Sequence, residues 1–231
     1  MAEHEKLNIY SVSANGLERK RMFLTFLKKQ SGNICLLQET QWTTEQNKLI
    51  RSQWGFECVV AGNHIGSKGV AVFKNNYEYK IHSTIKYELG RYTVTDVEFL
   101  NKRMTLGNVY GPSSGDHPEF FEEVFNKITS FDSALIVVGG DWNVALNPTL
   151  DTNHSSNIYR IDPEGRYKSL LNNAMLLIFF DVCILILEST HGEGLLREAD
   201  WINLSFLNSL VVLLKVSVLL QVTVQTPRSC A

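Results

Sequence analysis

Residues 134–143 read Ala-Leu-Ile-Val-Val-Gly-Gly-Asp-Trp-Asn, an apolar run of strand length that ends in paired glycines and then presents a carboxylate and a carboxamide. A continuous Leu/Ile/Val run suits a strand buried on both faces, and the glycines predict a sharp turn where a bulky side chain would clash. Polar groups just past the end of a buried strand stand on a rigid base with access to solvent, which is where reacting groups are presented. Asp141 is therefore the first candidate for chemistry, with Asn143 beside it. The same pattern also suits an ordinary strand exit capped by Asp and Asn, so the rest of the chain has to decide.

Read from the start, residues 7–12 alternate as a strand and Ser13-Ala14-Asn15-Gly16 breaks it with turn chemistry. Residues 18–30 then set Met22, Phe23, Phe26 and Leu27 on one side of a helix, with Arg19, Lys20, Lys28 and Lys29 as its solvated face. The apolar strand at 33–37 runs into Gln38-Glu39-Thr40, again a carboxylate at the end of a buried strand. A short helix is expected at 44–53, strands at 56–61 and 69–73, and further strands at 80–87, 92–100 and 103–110, with Asn101-Lys102 as a hairpin turn. The last of these ends in Asn108-Val109-Tyr110-Gly111-Pro112, and Asp116 with Pro118 opens a helix to about 128. The glycines at 62, 66 and 69 lack the spacing of a phosphate cradle and read as turns. The order of elements is that of an α/β domain in which two sheets pack together with helices outside.

Charge adds little, since Lys and Arg number 22 against 24 Asp and Glu; a nucleic-acid enzyme of this composition needs a local basic face. Cys35, Cys58, Cys183 and Cys230 are scattered, which suggests neither a zinc knuckle nor a disulfide framework and leans towards an intracellular protein. The N-terminus shows no secretory signal.

After residue 150 the pattern changes. Residues 166–176 suit a helix, 174–187 are apolar apart from Asp181, and 204–224 are apolar or small with Lys215 as the only charge. The central lysine and the valine-rich texture argue against a membrane span, and no membrane partner is expected.

Asn15-Gly16-Leu17, Gln38-Glu39-Thr40, Gly69-Val70-Ala71-Val72, Gly90-Arg91-Tyr92, Asn108-Val109-Tyr110-Gly111-Pro112 and Gly140-Asp141-Trp142-Asn143 occur in the order and approximate spacing of the endonuclease/exonuclease/phosphatase superfamily. More closely, they resemble the apurinic-like endonuclease domain of non-LTR (LINE-type) retrotransposons. The resemblance implies a four-layer α/β sandwich of two packed β-sheets flanked by helices, and Mg²⁺-dependent (or Mn²⁺-dependent) cleavage of double-stranded DNA. It implies Glu39 as the metal ligand with Asn15 in the metal shell, and Asp141 as the group that orients or deprotonates the attacking water. Asn143 would hold the phosphate and Asp141, and Tyr110 would donate to the phosphoryl group. It further implies fusion to a reverse transcriptase in the intact element and a nuclear site of action. The chemistry suits these residue types: phosphodiester hydrolysis needs charge stabilisation, an aligned water and help for the leaving oxygen, and Mg²⁺ takes few protein carboxylates.

Two departures stand out. Ser13 occupies a position where the family usually has asparagine, and after Asp181 no aromatic-Thr-Trp, Ser-Arg-(Ile/Leu)-Asp or Ser-Asp-His motif can be read; His191 and Asp200 stand outside any such motif. Read from the third base of each codon, however, Asp200-Trp201-Ile202 gives Leu-Asp under every synonymous codon, and residues 189–192 permit Tyr-Thr-Trp. A frameshift or gene-model junction shortly after Asp181 would explain the lost motifs. The expectation is thus a domain at 7–182, incomplete at its C-terminus, followed by a non-family apolar tail at 183–231. Its expected activity is nicking of DNA, reduced or absent in this chain; the alternatives are a phosphoesterase of the same superfamily acting on lipid or nucleotide phosphates, or a non-catalytic DNA-binding remnant.

Overall fold

In the computed structural model of the chain, the described residues are 3–14, 20–29, 34–62, 68–74, 79–99, 101–113, 118–131, 133, 135–143, 174–179, 182–188, 196–204 and 211–222. They form twelve strands and three helices: β1 (Glu3–Ser13), α1 (Lys20–Lys29), β2 (Ile34–Gln38), α2 (Thr44–Trp54), β3 (Cys58–Ala61), β4 (Val70–Lys74), β5 (Tyr79–Lys86), β6 (Tyr92–Phe99), β7 (Lys102–Tyr110), α3 (Pro118–Thr129), β8 (Leu135–Asp141), β9 (Ala174–Phe179), β10 (Val182–Glu188), β11 (Leu196–Leu204) and β12 (Val211–Val222). One sheet has the order β11-β12-β1-β2-β4-β3 and the other β5-β6-β7-β8-β10-β9. Each is built around one parallel pair, β1 with β2 across α1 and β7 with β8 across α3; the remaining pairs are antiparallel. The two-sheet α/β sandwich read from the sequence is the observed fold.

Strand periodicity sorts the side chains into layers. Leu7, Ile9, Ile34, Leu36, Val59 and Val72 of the first sheet meet Tyr79, Val97, Phe99, Met104, Leu106 and Val137 of the second in the space between them. Alternate residues Tyr10, Val12, Cys35, Leu37, Val60 and Ala71 face outward and are covered by Leu24 and Leu27 of α1 and by Ile50 and Trp54 of α2. On the opposite side Tyr92, Val94, Val109 and Val138 are covered by Phe121, Val124, Phe125 and Ile128 of α3. Each Leu, Ile, Val or Phe buried this way contributes about 1.5–3 kcal/mol, so the three apolar layers dominate the fold.

Helix α2 starts and stops for local reasons. Thr43 caps α2 by accepting from the Gln46 amide while the Gln46 side chain accepts from the Thr43 amide, and Gly55 ends the helix at φ +80°. Lys28, read as part of a solvated face, is exposed but occupied: its ammonium donates to Gln53 O at 2.7 Å and lies 5.6 Å from the Trp54 ring, over the carbonyl end of α2.

The C-terminal third departs from expectation. Of the helix expected at 166–176, residues 166–173 lie outside the described residues, and the end of the stretch opens β9 instead. The segments without family motifs run as strands: β10 pairs with β8, and β12 pairs along the length of β1, with Lys215 in register between Tyr10 and Asp200. The edges of β1 and β8, which the loss of motifs would leave bare, are therefore paired. Runs rich in Val, Ile and Leu suit a strand flanked on both sides, whatever frame encodes them. Among the described residues no helix is long and apolar enough to cross a membrane.

Candidate active site

Three strands end side by side at one mouth of the sandwich. In the parallel register of β7 and β8, Tyr110 lies directly beside Asp141. From the other sheet, Gln38 ends β2 and Glu39 follows it at φ +54°, a left-handed conformation uncommon for a residue with a side chain. The turn aims the Glu39 carboxylate at β7, where the Tyr110 hydroxyl donates to Glu39 Oε1 at 2.9 Å. The chain beyond is tied down by Thr40 N donating to Gly69 O at 3.1 Å and Gln41 N to Lys68 O at 3.2 Å.

Asp141 is buried, and its Oδ1 accepts from the Asn143 amide at 3.1 Å. Asn143, at φ +51°, turns its carboxamide back so that Nδ2 donates to Gly111 O at 2.9 Å, while Gly111 N donates to Asp141 O at 2.7 Å. Asn tolerates this backbone region better than most residues. Between them Trp142 stacks on Phe121 and Phe125, with centroids 6.1 and 5.9 Å apart, so the segment carrying both polar groups is anchored to α3. The glycines before Asp141 were expected to make a turn. They lie instead inside β8, and Gly140, at φ +153°, is needed for close approach, since a Cβ there would collide with Val109 O.

Electrostatics keep Tyr110 a donor. Burial pushes its phenol above the ordinary range, and the neighbouring Glu39 charge, the hydrogen bond to Glu39 and the Asp141 charge push the same way, against a smaller opposing pull from Arg91. Arg91 is a site residue to which the sequence reading gave no role, although it stands in the Gly90-Arg91-Tyr92 motif. Its guanidinium lies 5.6 Å from the Tyr110 ring centroid and Nη1 donates to Gly111 O at 3.0 Å, while Arg91 O accepts from Tyr110 N at 2.6 Å. Gly111 O thus receives both Arg91 and Asn143.

Glu39 thus meets Tyr110, Tyr110 lies beside Asp141 and Asp141 holds Asn143, while Asn15 lies outside the described residues. No three His, Cys, Asp or Glu side chains gather into a metal cluster among the described residues. Among the described residues Glu39, one of whose oxygens accepts from the Tyr110 phenol, offers a carboxylate that could hold a divalent cation.

No protein-family model and no curated protein matches the chain by sequence. By fold it is similar to an AP endonuclease from Archaeoglobus fulgidus, at a TM-score of 0.63 and 18% identity, covering 90% of this chain and 98% of the other. It is similar to the endonuclease domain of TRAS1, a telomere-specific non-LTR retrotransposon, at a TM-score of 0.60 and 14% identity, covering 93% and 98%. A Cimex nitrophorin in its ferrous NO complex also matches, at a TM-score of 0.56 and 14% identity over 93% and 99%. The chain has the fold of the endonuclease/exonuclease/phosphatase superfamily. Because a nitrophorin shares that fold, the chemistry has to be argued from the site.

Proposed function

We propose that this chain is a retrotransposon-type endonuclease domain whose site hydrolyses a phosphodiester of double-stranded DNA with the help of a divalent cation. The observation that carries the reading is the convergence of Glu39, Tyr110, Asp141 and Asn143 from strand ends on two sheets, with Tyr110 donating to Glu39 and Asp141 holding Asn143. Glu39 would hold Mg²⁺ or Mn²⁺, with Asn15 as a second donor, and the cation would neutralise charge on the phosphoryl oxygens. Asp141 accepts the proton of the attacking water or orients it. The Asn143 carboxamide positions the phosphate, and the protonated Tyr110, giving up Glu39 to the cation, donates its one proton to a non-bridging oxygen. Fixed donors of this kind act mainly by arrangement, and each is worth ~10²- to 10³-fold in rate.

The family's Ser-Asp-His motif does not stand in this sequence after Asp181. Loss of its Asp and His removes one stabilising arm, so the rate of this chain falls below that of an intact domain by a factor of the same order, ~10²- to 10³-fold. We attribute the loss to a frame change after Asp181, with residues 7–182 as the ancestral domain and 183–231 as an unrelated tail. An intact element would carry a reverse transcriptase on the same polypeptide and would act on nuclear DNA.

The missing motif favours one further reading, a remnant that binds DNA without cutting it. Nicking of supercoiled plasmid, with and without Mg²⁺, separates the two when wild type is compared with Asp141→Ala. The proposal expects Mg²⁺-dependent nicking that the substitution reduces at least ~10²-fold. Equal nicking by both proteins would refute the role of Asp141. Salt-sensitive DNA retention with no nicking would establish the remnant, and turnover of small phosphate esters in preference to plasmid would move the assignment to a phosphoesterase.

A further inference from the structure

A buried polar cluster lies inside the sandwich directly beneath the site, and the proposed reaction does not use it. Asn108, fully buried on β7, donates from Nδ2 to Leu37 O at 3.0 Å and to Ala71 O at 2.9 Å. Leu37 and Ala71 are the last Cα partners in the register of β2 with β4. Its Oδ1 accepts from Gln38 Nε2 at 2.7 Å, and Gln38, equally buried, also donates to Ser11 Oγ at 3.2 Å. One carboxamide on the second sheet is thus bonded to β2 and β4 of the first, and through Gln38 to β1.

We propose that Asn108 is the positioning residue of the site, bolting the end of β7 to the end of β2 so that Tyr110 and Glu39 meet. Tyr110 follows Asn108 by two residues on the same face of β7, and Glu39 follows Gln38 directly. The Tyr110–Asp141 relation needs no such device, because β7 and β8 are neighbours in one sheet and their ladder sets it. The Tyr110–Glu39 contact crosses between sheets, where apolar side chains supply attraction without fixing register. Only a carboxamide has the two donors and one acceptor this position uses: aspartate loses both donors, and leucine of similar size loses all three bonds. Being fully buried, Asn108 cannot touch a substrate, so its effect must pass through Glu39 and Tyr110.

The inference rests on the proposed site only in taking Glu39 and Tyr110 as its members, and its test needs no catalytic activity. In the full chain labelled with ¹³Cζ-tyrosine, the Tyr110 signal is assigned by its loss in Tyr110→Phe, and Glu39→Gln marks its position without the carboxylate. Asn108→Leu is expected to move the signal most of the way to the Glu39→Gln position. Gln38→Met, a gentler change that leaves both Nδ2 bonds in place, is expected to move it in the same direction by less. Thr105→Val removes the Thr105–Ser133 hydrogen bond elsewhere on β7 and is expected to lower Tm while leaving the Tyr110 signal in place. An unmoved signal in a folded Asn108→Leu protein, or in Gln38→Met should the former not fold, overturns the inference and leaves Asn108 a stability residue. An unmoved signal in Glu39→Gln instead refutes the Tyr110–Glu39 pairing beneath it.

Discussion

The hydroxyl of Tyr110 donates to Glu39 Oε1 at 2.9 Å across the gap between the two sheets, joining residues 71 positions apart in the chain. Under the proposed function the two partners would have different tasks, so their removal would have different signatures. Glu39→Gln is expected to raise the Mg²⁺ concentration needed for half-maximal nicking. Tyr110→Phe leaves that requirement near the wild-type value and lowers the rate ~10²-fold. Its effect on stability is about 1 kcal/mol, the worth of one hydrogen bond. Metal titrations of plasmid nicking check both, and a shift in metal requirement for Tyr110→Phe equal to that of Glu39→Gln would contradict the division of roles.

Gly140 and Gly107 offer a paired test of close approach between β7 and β8. A methyl at Gly140 would run into the backbone carbonyl of Val109, on a backbone already at φ +153°, whereas one at Gly107 would meet the Val138 side chain at 2.8 Å. Backbone cannot step aside and a side chain partly can. Gly140→Ala is expected to cost about 3 kcal/mol and Gly107→Ala about 1–2 kcal/mol, measured by urea unfolding. A reversed order would show that β8 is not held as closely to β7 as the contacts require.

Alkaline pH should weaken the fold through Cys35. Burial raises its thiol from 9.0 to about 12 in the folded chain. The folded state therefore holds its proton where the unfolded chain has released it. The contribution is complete below pH 9, and it is lost as pH rises from 9 towards 12. Tyr79, Tyr92 and Tyr110 are raised as well, mainly by burial, and add to the decline above the ordinary tyrosine range. The urea midpoint is expected to stay flat with respect to these groups up to pH 9 and then fall, with a shallower onset in Cys35→Val. An identical pH profile for the variant would remove Cys35 as the cause.

Thr43 supports the segment that leaves Glu39. Its side chain caps α2 in a reciprocal pair with Gln46, at 3.3 Å and 3.0 Å. Thr43→Ala is expected to cost about 1 kcal/mol, a Tm decrease of roughly 2–4 °C for a chain of this size. Thr43→Ser retains most of it, because the hydroxyl is kept. Calorimetry of the three proteins distinguishes a cap from a residue whose methyl group packs.

Much of this architecture was legible in residue order. The apolar runs at 33–37 and 103–110 and the turn chemistry between them mark β2 and β7 closely, because side-chain alternation and glycine or asparagine turns act over a few residues. Glu39, Tyr110, Asp141 and Asn143 could be picked out because each stands at the end of such a run. The hairpin legible at 92–110 places Arg91 beside the end of β7, but a pairing pattern does not show that its guanidinium turns to the Gly111 carbonyl. The task of Asn108 is not legible because its partners Leu37 and Ala71 are far away in the chain. The apolar tail could not be assigned, since a run without alternation suits several buried environments equally.

The sequence by itself determined where the strands end and which polar groups stand there, because hydrophobic period, glycine and capping are local effects. It also carries the absence of the C-terminal motifs, which no arrangement of the chain restores. Only the tertiary structure decided that β12 lies against β1, that Tyr110 sits beside Asp141, and that Glu39 reaches Tyr110 from the opposite sheet. Those relations depend on ladder register between strands distant in the chain and, for Glu39 and Tyr110, on a hydrogen bond between the sheets, whose free energy exists only once the distant partners have come together.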